Sequence, residues 1–261
     1  MNSLARSIGR LVFGYLAITG RGTMLLVDIL RQLPATWHMR RETLEQMNVV
    51  AVGSLPLVIT TAVFVGAVTA VQAVYQMQAY VPMVFLGTII SKSVFIELGP
   101  VLTALVVGGR LTANYAAELG TMKVTEQLDA MEIMAIEPVR YLALPRFLAA
   151  VLMLPVITVF ANAIAVTGGF LVSILTLDIT ASTFVEGLRM FWKPSDLISG
   201  LLKSYIFGGI IAMSGIYFGM ATSGGAEGVG KNTMAAVVAS CLSVLVADYL
   251  LAALLFQVIF E

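Results

Sequence analysis

Residues 147–175 read FLAAVLMLPVITVFANAIAVTGGFLVSIL, a run without a single Asp, Glu, Lys or Arg. A helix needs about 20 apolar residues to cross the roughly 30 Å hydrocarbon core of a bilayer, so this run is long enough. No water is present there to satisfy a bare backbone, and a span of this kind is therefore a helix. Four further runs are similar, so the sequence predicts spans at 48–77, 82–109, 147–175, 197–221 and 235–260.

The composition agrees with a membrane protein. Of the 261 residues, 59% are hydrophobic and 11% are charged, whereas about 25% of the residues in soluble domains are charged. An ordinary soluble enzyme and a disordered chain are thereby excluded. The formal net charge of +0 leaves no basic surface for nucleic acid, and 1 His and 1 Cys predict no metal site and no internal disulfide. We therefore predict an all-α integral membrane protein that forms a single domain over residues 1–261.

The basic residues are distributed unevenly between the two ends of these spans. Eleven of the 15 Lys and Arg residues fall in the N-terminal segment, in the loop between spans two and three, or in the loop between spans four and five. The opposite side has only Arg189 and Lys193. Because short loops rich in Lys and Arg stay in the cytoplasm, we expect a multi-pass protein of the inner membrane. Its N-terminus would be cytoplasmic and its C-terminus periplasmic.

The first 46 residues precede the spans and are expected to form interfacial or elbow helices. Apolar residues recur there at helical spacing, at Leu4, Ile8, Leu11, Val12, Tyr15 and Leu16. Arg6 and Arg10 lie off this stripe, which is typical of a helix lying in the cytoplasmic interface. A first helix packed on the bundle would have the same spacing, so both interpretations remain open.

The longest polar insertion between spans lies at 112–137, between spans two and three. Good helix formers fill it, and it has no internal proline. Intervals of four and three residues place one set of side chains on a single helix face: Glu118, Met122, Thr125, Asp129 and Glu132. The pattern predicts an amphipathic cytoplasmic helix that docks on a partner. A solvated loop helix without a partner is the alternative.

Several motifs of the chain resemble those of one known family. They are ELGP at 97–100, Arg110, AELG at 117–120, TEQLDA at 125–130, GVG at 228–230 and Asp248. Together they resemble the signature of the MlaE permease family, over most of the chain from about residue 48 onward. The central block is long and specific to that family.

The resemblance implies the non-catalytic membrane subunit of an ABC transporter that moves phospholipid or a related lipid. Such a subunit pairs with a second copy, docks on a cytoplasmic ATPase that binds ATP and Mg²⁺, and meets a periplasmic MCE-domain protein. Some systems add a small STAS-type subunit, and the implied role is outer-membrane lipid homeostasis and asymmetry. The 112–137 segment would then contain the ATPase-coupling residues, namely Glu118, Gly120, Met122, Thr125, Glu126 and Asp129.

The outer end of the first span has bulky, mostly apolar side chains and a few polar groups. The residues concerned are Gln72, Val74, Tyr75, Met77 and Tyr80. By pattern alone, this is an aromatic belt at a membrane interface. A lipid pocket also needs adaptable apolar walls, which Met supplies, and the resemblance implies a lipid cavity at this end of this helix. We therefore expect these five residues to bind lipid.

Four ionisable residues lie inside predicted spans: Lys92 and Glu97 in the second, Lys203 in the fourth and Asp248 in the fifth. Such groups cost at least about 2.5–3.5 kcal/mol in hydrocarbon and normally face protein or a water-filled cavity. Five residues of α-helix separate Lys92 from Glu97 by about 140°. We therefore expect each to pair across the bundle or a dimer, with Lys203 and Asp248 as candidate partners. The pairs either rearrange during transport or are static.

Two other functions are alternatives to a lipid permease. A secondary transporter would use Lys92, Glu97 and Asp248 as an ion relay, but the sequence shows no internal repeat of the kind such transporters have. A non-transporting scaffold would leave the acidic face of 112–137 without a role.

Residues 225–232, GAEGVGKN, nearly match a P-loop, yet Asn232 stands where the loop needs Ser or Thr. We therefore expect no nucleotide site and no cofactor on this chain.

Overall fold

The computed structural model describes residues 20–77 and 81–259, and within these ranges the chain forms helices and turns without a β-strand. This confirms the all-α expectation. The helices are α1 (20–31), α2 (Arg40–Met77), α3 (Phe85–Ser93), α4 (Gly99–Val124), α5 (Gln127–Ile133), α6 (Leu144–Thr176), α7 (Ala181–Met190), α8 (Pro194–Met220) and α9 (Gly225–Ile259). A 3₁₀ helix covers Leu33–Trp37, and π-helical turns cover Val94–Leu98 and Val139–Ala143.

Five segments are long and apolar enough to cross a membrane: Arg40–Met77, Phe85–Val124, Val139–Thr176, Pro194–Met220 and Gly225–Leu255. The five spans expected from the apolar runs are thus confirmed by length and composition. The second span consists of α3, a π turn and α4, and is called the α3–α4 helix below. Arg110, which the sequence places in the following loop, lies inside α4 instead. The apolar stripe expected to form an interfacial helix, at 4–16, lies outside the described residues.

Consecutive spans are joined by short segments and therefore alternate in direction. α2, α6 and α9 begin at the end of the bundle that carries α5, here called the connector end. α3 and α8 begin at the other end, which carries α7 and is called the α7 end. Residues 125–143, between α4 and α6, are called the connector.

Small residues let the spans approach closely, as is common between membrane helices. α2 packs mainly on α6, and α4 packs on α8 and α9. A side chain at Gly66 of α2 would collide with the backbone of Ala165 in α6, and one at Gly215 of α8 would collide with Tyr115 in α4. α9 has many exposed apolar side chains, which suits a helix that faces lipid or another subunit.

Candidate functional site

A cavity of about 550 Å³ lies between α2 and the α3–α4 helix, in the half of the bundle toward the α7 end. α2 contributes Phe64, Val65, Val68, Thr69, Gln72, Ala73 and Gln76, and the facing wall consists of Ile89, Ser93, Leu98 and Leu102. None of these lining residues is charged. The few polar groups are uncharged amides and hydroxyls, and Thr69 already donates its hydroxyl to the carbonyl of Val65 at 2.7 Å. Such a cavity suits an apolar ligand with few polar groups.

The five residues expected to bind lipid take different positions around α2. Gln72 lines the cavity. Val74 packs against the core and Met77 is buried. Tyr75 is 73% exposed, and Tyr80 lies outside the described residues.

The wall formed by the α3–α4 helix was not found from the sequence. The stripe on α2 could have been found, because Val65, Thr69, Gln72 and Gln76 recur at intervals of three and four residues. The facing wall depends on tertiary packing, which periodicity does not give.

A charge network joins three spans in the half of the bundle toward the α7 end. Lys203 of α8 donates to Glu97 at 2.7 Å and to Asp248 of α9 at 2.9 Å. The side chain of Lys203 is 1% exposed, that of Glu97 38% and that of Asp248 20%. Glu97 therefore pairs with Lys203, one of the two candidate partners, and Asp248, the other candidate, binds the same ammonium group. The two carboxylates offset the desolvation of the buried ammonium group.

Lys92 has a partner of its own, which the sequence did not indicate. Its Nζ lies 3.2 Å from Oδ2 of Asp196, whose side chain is 1% exposed. Asp196 stands in the first turn of α8, just after Pro194, where the helix dipole favours a negative charge. The residue precedes the predicted fourth span by one position, so it was not considered among the intramembrane charges.

The π turn at Val94–Leu98 explains why Lys92 and Glu97 both face α8. The Gly99 N–H bonds to the carbonyl of Val94, five residues earlier, so the turn absorbs one extra residue. The separation of Lys92 from Glu97 is therefore smaller than the 140° of an unbroken α-helix. Asp196 and Lys203 are seven residues apart, nearly two full turns, and so share one face of α8. The expectation of 140° was wrong because it assumed an unbroken α-helix.

In the described chain, each of the two π turns is followed by one residue and then by a proline. Pro100 comes two residues after the first turn, and Pro145 comes two residues after the second. Proline has no N–H and its ring collides with the carbonyl four residues earlier. A π turn removes this conflict by changing the hydrogen-bond register. Proline alone does not specify such a turn, because Pro56 and Pro155 lie within α-helices that have none.

The residues expected to couple to an ATPase divide into two groups. Glu118, Gly120 and Met122 lie on α4, where Gly120 and Met122 pack against the bundle and Glu118 is exposed. Glu118 accepts from Nη2 of Arg146 at 3.0 Å, which ties the end of α4 to the beginning of α6. Gly120 packs beside Thr222 after α8.

The other three residues, Thr125, Glu126 and Asp129, are exposed on the connector. The single helix expected there is wrong, because α4 ends and Glu126 takes a left-handed conformation with φ 60°. Thr125 donates its hydroxyl back to the carbonyl of Thr121 at 2.8 Å. Lys123 Nζ then bridges the turn to Asp129 at 2.7 Å.

The tip of the connector is apolar and exposed, a feature that the sequence analysis missed. Ile133 is 87% exposed, Met134 63% and Ile136 39%. Four exposed acidic residues flank this tip, namely Glu126, Asp129, Glu132 and Glu137. Exposed apolar side chains outside a span, surrounded by polar ones, are typical of a protein interaction site.

Comparison with known proteins relates this geometry to a family. The family model described as "Permease MlaE" matches residues 43–254. The chain belongs to the MlaE permease family. It is therefore a membrane permease, and the matched region of this MlaE-family permease contains the cavity, both sets of ion pairs and the connector.

Individual relatives of this MlaE-family permease cover most of its length. A probable ABC transporter permease protein of Synechocystis is 41% identical over 84% of this chain and 83% of its own length. The intermembrane phospholipid transport system permease protein MlaE of Haemophilus influenzae is 30% identical over 96% of both chains. The chloroplastic protein TRIGALACTOSYLDIACYLGLYCEROL 1 of Arabidopsis thaliana is 34% identical over 88% of this chain and 65% of its own length.

Proposed function

We propose that this permease is the membrane subunit of an ATP-driven lipid transporter, and that lipid occupies the cavity between α2 and the α3–α4 helix. The uncharged, mostly apolar lining of that cavity carries the proposal, because acyl chains require such walls. The name of the Haemophilus relative, an intermembrane phospholipid transport system permease, supports phospholipid or a related lipid as cargo.

The proposal includes an assembly around this chain. The connector end faces the cytoplasm of the inner membrane and a separate ATPase, which holds ATP and Mg²⁺, while this chain has no catalytic role. A second copy covers part of the exposed apolar surface. A periplasmic MCE-domain protein receives or delivers lipid at the α7 end, in the service of outer-membrane lipid homeostasis. A small STAS-type subunit is a further candidate partner.

The connector is the proposed contact with the ATPase. Its apolar tip has no cover within the described chain, and the acidic residues beside it favour a groove with a basic rim. Both ends of the connector are anchored, because Arg146 at the start of α6 binds Glu118 near the end of α4. A movement of the connector would therefore be transmitted to both α4 and α6.

Charge and polarity changes on the connector test this contact. Ile133→Asp, and separately Glu126→Lys combined with Asp129→Lys, should abolish co-purification of the ATPase while the permease still inserts in the membrane. Glu186→Lys is the matched control, because Glu186 is exposed on α7 at the opposite end. Unchanged co-purification with both connector variants would contradict the assignment.

Filling the cavity tests the lipid site. Gln72→Trp places a large ring in the cavity, and we expect the purified permease to lose most of its bound lipid, as measured by mass spectrometry. Tyr75→Trp is the control, because Tyr75 is on the same helix but 73% exposed and away from the lining. Equal lipid content in the two variants would remove the cavity from the proposal.

The ion-relay alternative predicts a different energy source. Among the described ion pairs, Lys92 binds Asp196 and Glu97 binds Lys203, so the two supposed relay groups belong to separate contacts. Reconstituted vesicles decide between the two functions. Lipid movement that requires the ATPase and ATP supports the proposal, whereas solute movement driven by an ion gradient in the permease alone would overturn it.

A further inference from the structure

Arg110 is an arginine inside a spanning helix whose charge has no counter-ion among the described residues. Its only hydrogen bond within them runs from Nη1 to the Ser54 hydroxyl at 2.9 Å, and it takes part in no described ion pair. The intramembrane groups Lys92, Glu97 and Lys203, by contrast, are each paired. An unpaired ionised group in a span marks a functional site by default.

The depth of Arg110 follows from a polar pocket at the connector end. Gln46 of α2, Glu118 of α4 and Arg146 of α6 line that pocket together. Arg110 precedes Glu118 by eight residues, and Ser54 follows Gln46 by eight residues. At 1.5 Å per residue, both lie about 12 Å further into the bundle. The guanidinium group is therefore within the apolar part of the spans.

The guanidinium group of Arg110 packs directly against the backbone of α2. A methyl group at Gly53 would lie 2.2 Å from Nη2 of Arg110, so the group sits directly against the backbone of α2 where only glycine leaves room. Ser54 beside it is 0% exposed. Arg110 itself is exposed, which leaves most of its five N–H donors open. This arrangement holds the guanidinium group in place and leaves its free N–H groups accessible to a ligand.

The same stripe of α4 leads from Arg110 to the cavity. Leu102, Val106 and Arg110 are spaced four residues apart and lie on one face, and Leu102 lines the cavity. The eight residues between Leu102 and Arg110 span about 12 Å. One leaflet of a bilayer has a hydrocarbon depth of about 15 Å. An anion held at Arg110 could thus belong to a lipid whose chains reach the cavity.

We propose that Arg110 and Ser54 bind the phosphate group of a phospholipid whose acyl chains extend toward the cavity. A guanidinium fork matches two phosphate oxygens and forms charge-assisted hydrogen bonds. The bound lipid has its head group toward the connector end and its chains toward the α7 end. This inference rests on the proposed function, because it assumes that the cavity carries lipid.

Native mass spectrometry of the purified full-length permease tests this site with two lipids that have identical acyl chains. Phosphatidylglycerol carries the phosphate and diacylglycerol lacks it. We expect the wild-type chain to prefer phosphatidylglycerol by at least about tenfold, and Arg110→Gln to remove that preference while diacylglycerol binding persists. Gly53→Ala should weaken the preference by displacing the guanidinium group without changing the charge.

Arg189→Gln is the matched control, because Arg189 is an exposed arginine on α7, and it should leave the preference intact. Arg110→Lys keeps the charge and should retain part of the preference. A preference that survives Arg110→Gln would overturn the inference, as would displacement of phosphatidylglycerol by inorganic phosphate. Equal binding of both lipids by the wild-type chain would overturn only this inference, whereas binding of neither would overturn the proposed function.

Discussion

The two sides of the α3–α4 helix differ in chemistry although they share one stretch of chain. The side toward α2 presents Ser93 and Leu98 to an uncharged cavity. The side toward α8 presents Lys92 and Glu97, each next to one of those residues in sequence, to buried ionic partners. One helix therefore separates an apolar wall from a charged contact.

The difference indicates which side can rearrange at low energetic cost. Apolar contacts at the cavity wall can be exchanged for contacts with lipid, which is equally apolar. Ionic contacts with α8 cannot be exchanged in that way, because separating them leaves an ion in hydrocarbon. We therefore expect α3–α4 and α8 to move together, and α2 to move relative to them.

The largest expected effect comes from removing the shared cation of the charge network. Lys203→Met leaves Glu97 and Asp248 without their ammonium partner, and we expect the free energy of unfolding in micelles to fall by about 3–5 kcal/mol. The triple variant with Glu97→Gln and Asp248→Asn removes the uncompensated charges and should recover much of that loss. A Lys203→Met chain as stable as the wild type would contradict the structural importance of the network.

The triple variant also separates a static contact from one used in transport. If the network only stabilises the bundle, then under the proposed function the recovered chain should transport lipid at the wild-type rate in vesicles that also contain the proposed ATPase. If the network rearranges during transport, the recovered chain should be folded but slow.

A smaller and asymmetric effect is expected at the second ion pair. Lys92→Met leaves Asp196, whose side chain is 1% exposed, as an unpaired buried charge. We expect this change to lower the free energy of unfolding by about 3 kcal/mol. Asp196→Asn leaves Lys92 without its partner, but the Lys92 side chain is 33% exposed and can reach water. We expect this change to lower the free energy of unfolding by only about 1 kcal/mol. Unfolding of the two variants in parallel measures the difference. Equal losses would show that burial does not govern this pair.

The sequence indicated most of the fold, because apolar runs decide which segments cross a bilayer. It also named Lys203 and Asp248 as candidate partners for Lys92 and Glu97, since buried charges need partners, and Lys203 does bind Glu97. It missed Asp196, which lies just outside an apolar run. It missed the break at Glu126 as well, because Glu126 is an ordinary helix former and yet takes a left-handed conformation there.

The site was predicted less completely than the fold for a geometric reason. Helical periodicity tells which residues share a face of one helix, but a cavity needs walls from two helices. The π turn further changes which residues share a face of the α3–α4 helix. Pro100 does not specify this turn, because Pro56 and Pro155 lie within α-helices that have none.

The smallest expected effect lies next to Lys92 in sequence and sharpens the comparison of the two sides. Ser93 lines the cavity and follows Lys92 directly, yet it faces the uncharged side. Ser93→Ala removes one hydroxyl from an open wall and should change the free energy of unfolding by no more than about 0.5 kcal/mol, against about 3 kcal/mol for Lys92→Met. Both variants are measured in the same micelles, so differences in solvent cancel. A loss at Ser93 as large as that at Lys92 would mean that the cavity wall is as constrained as the ionic side, and α2 could not then be the helix that moves.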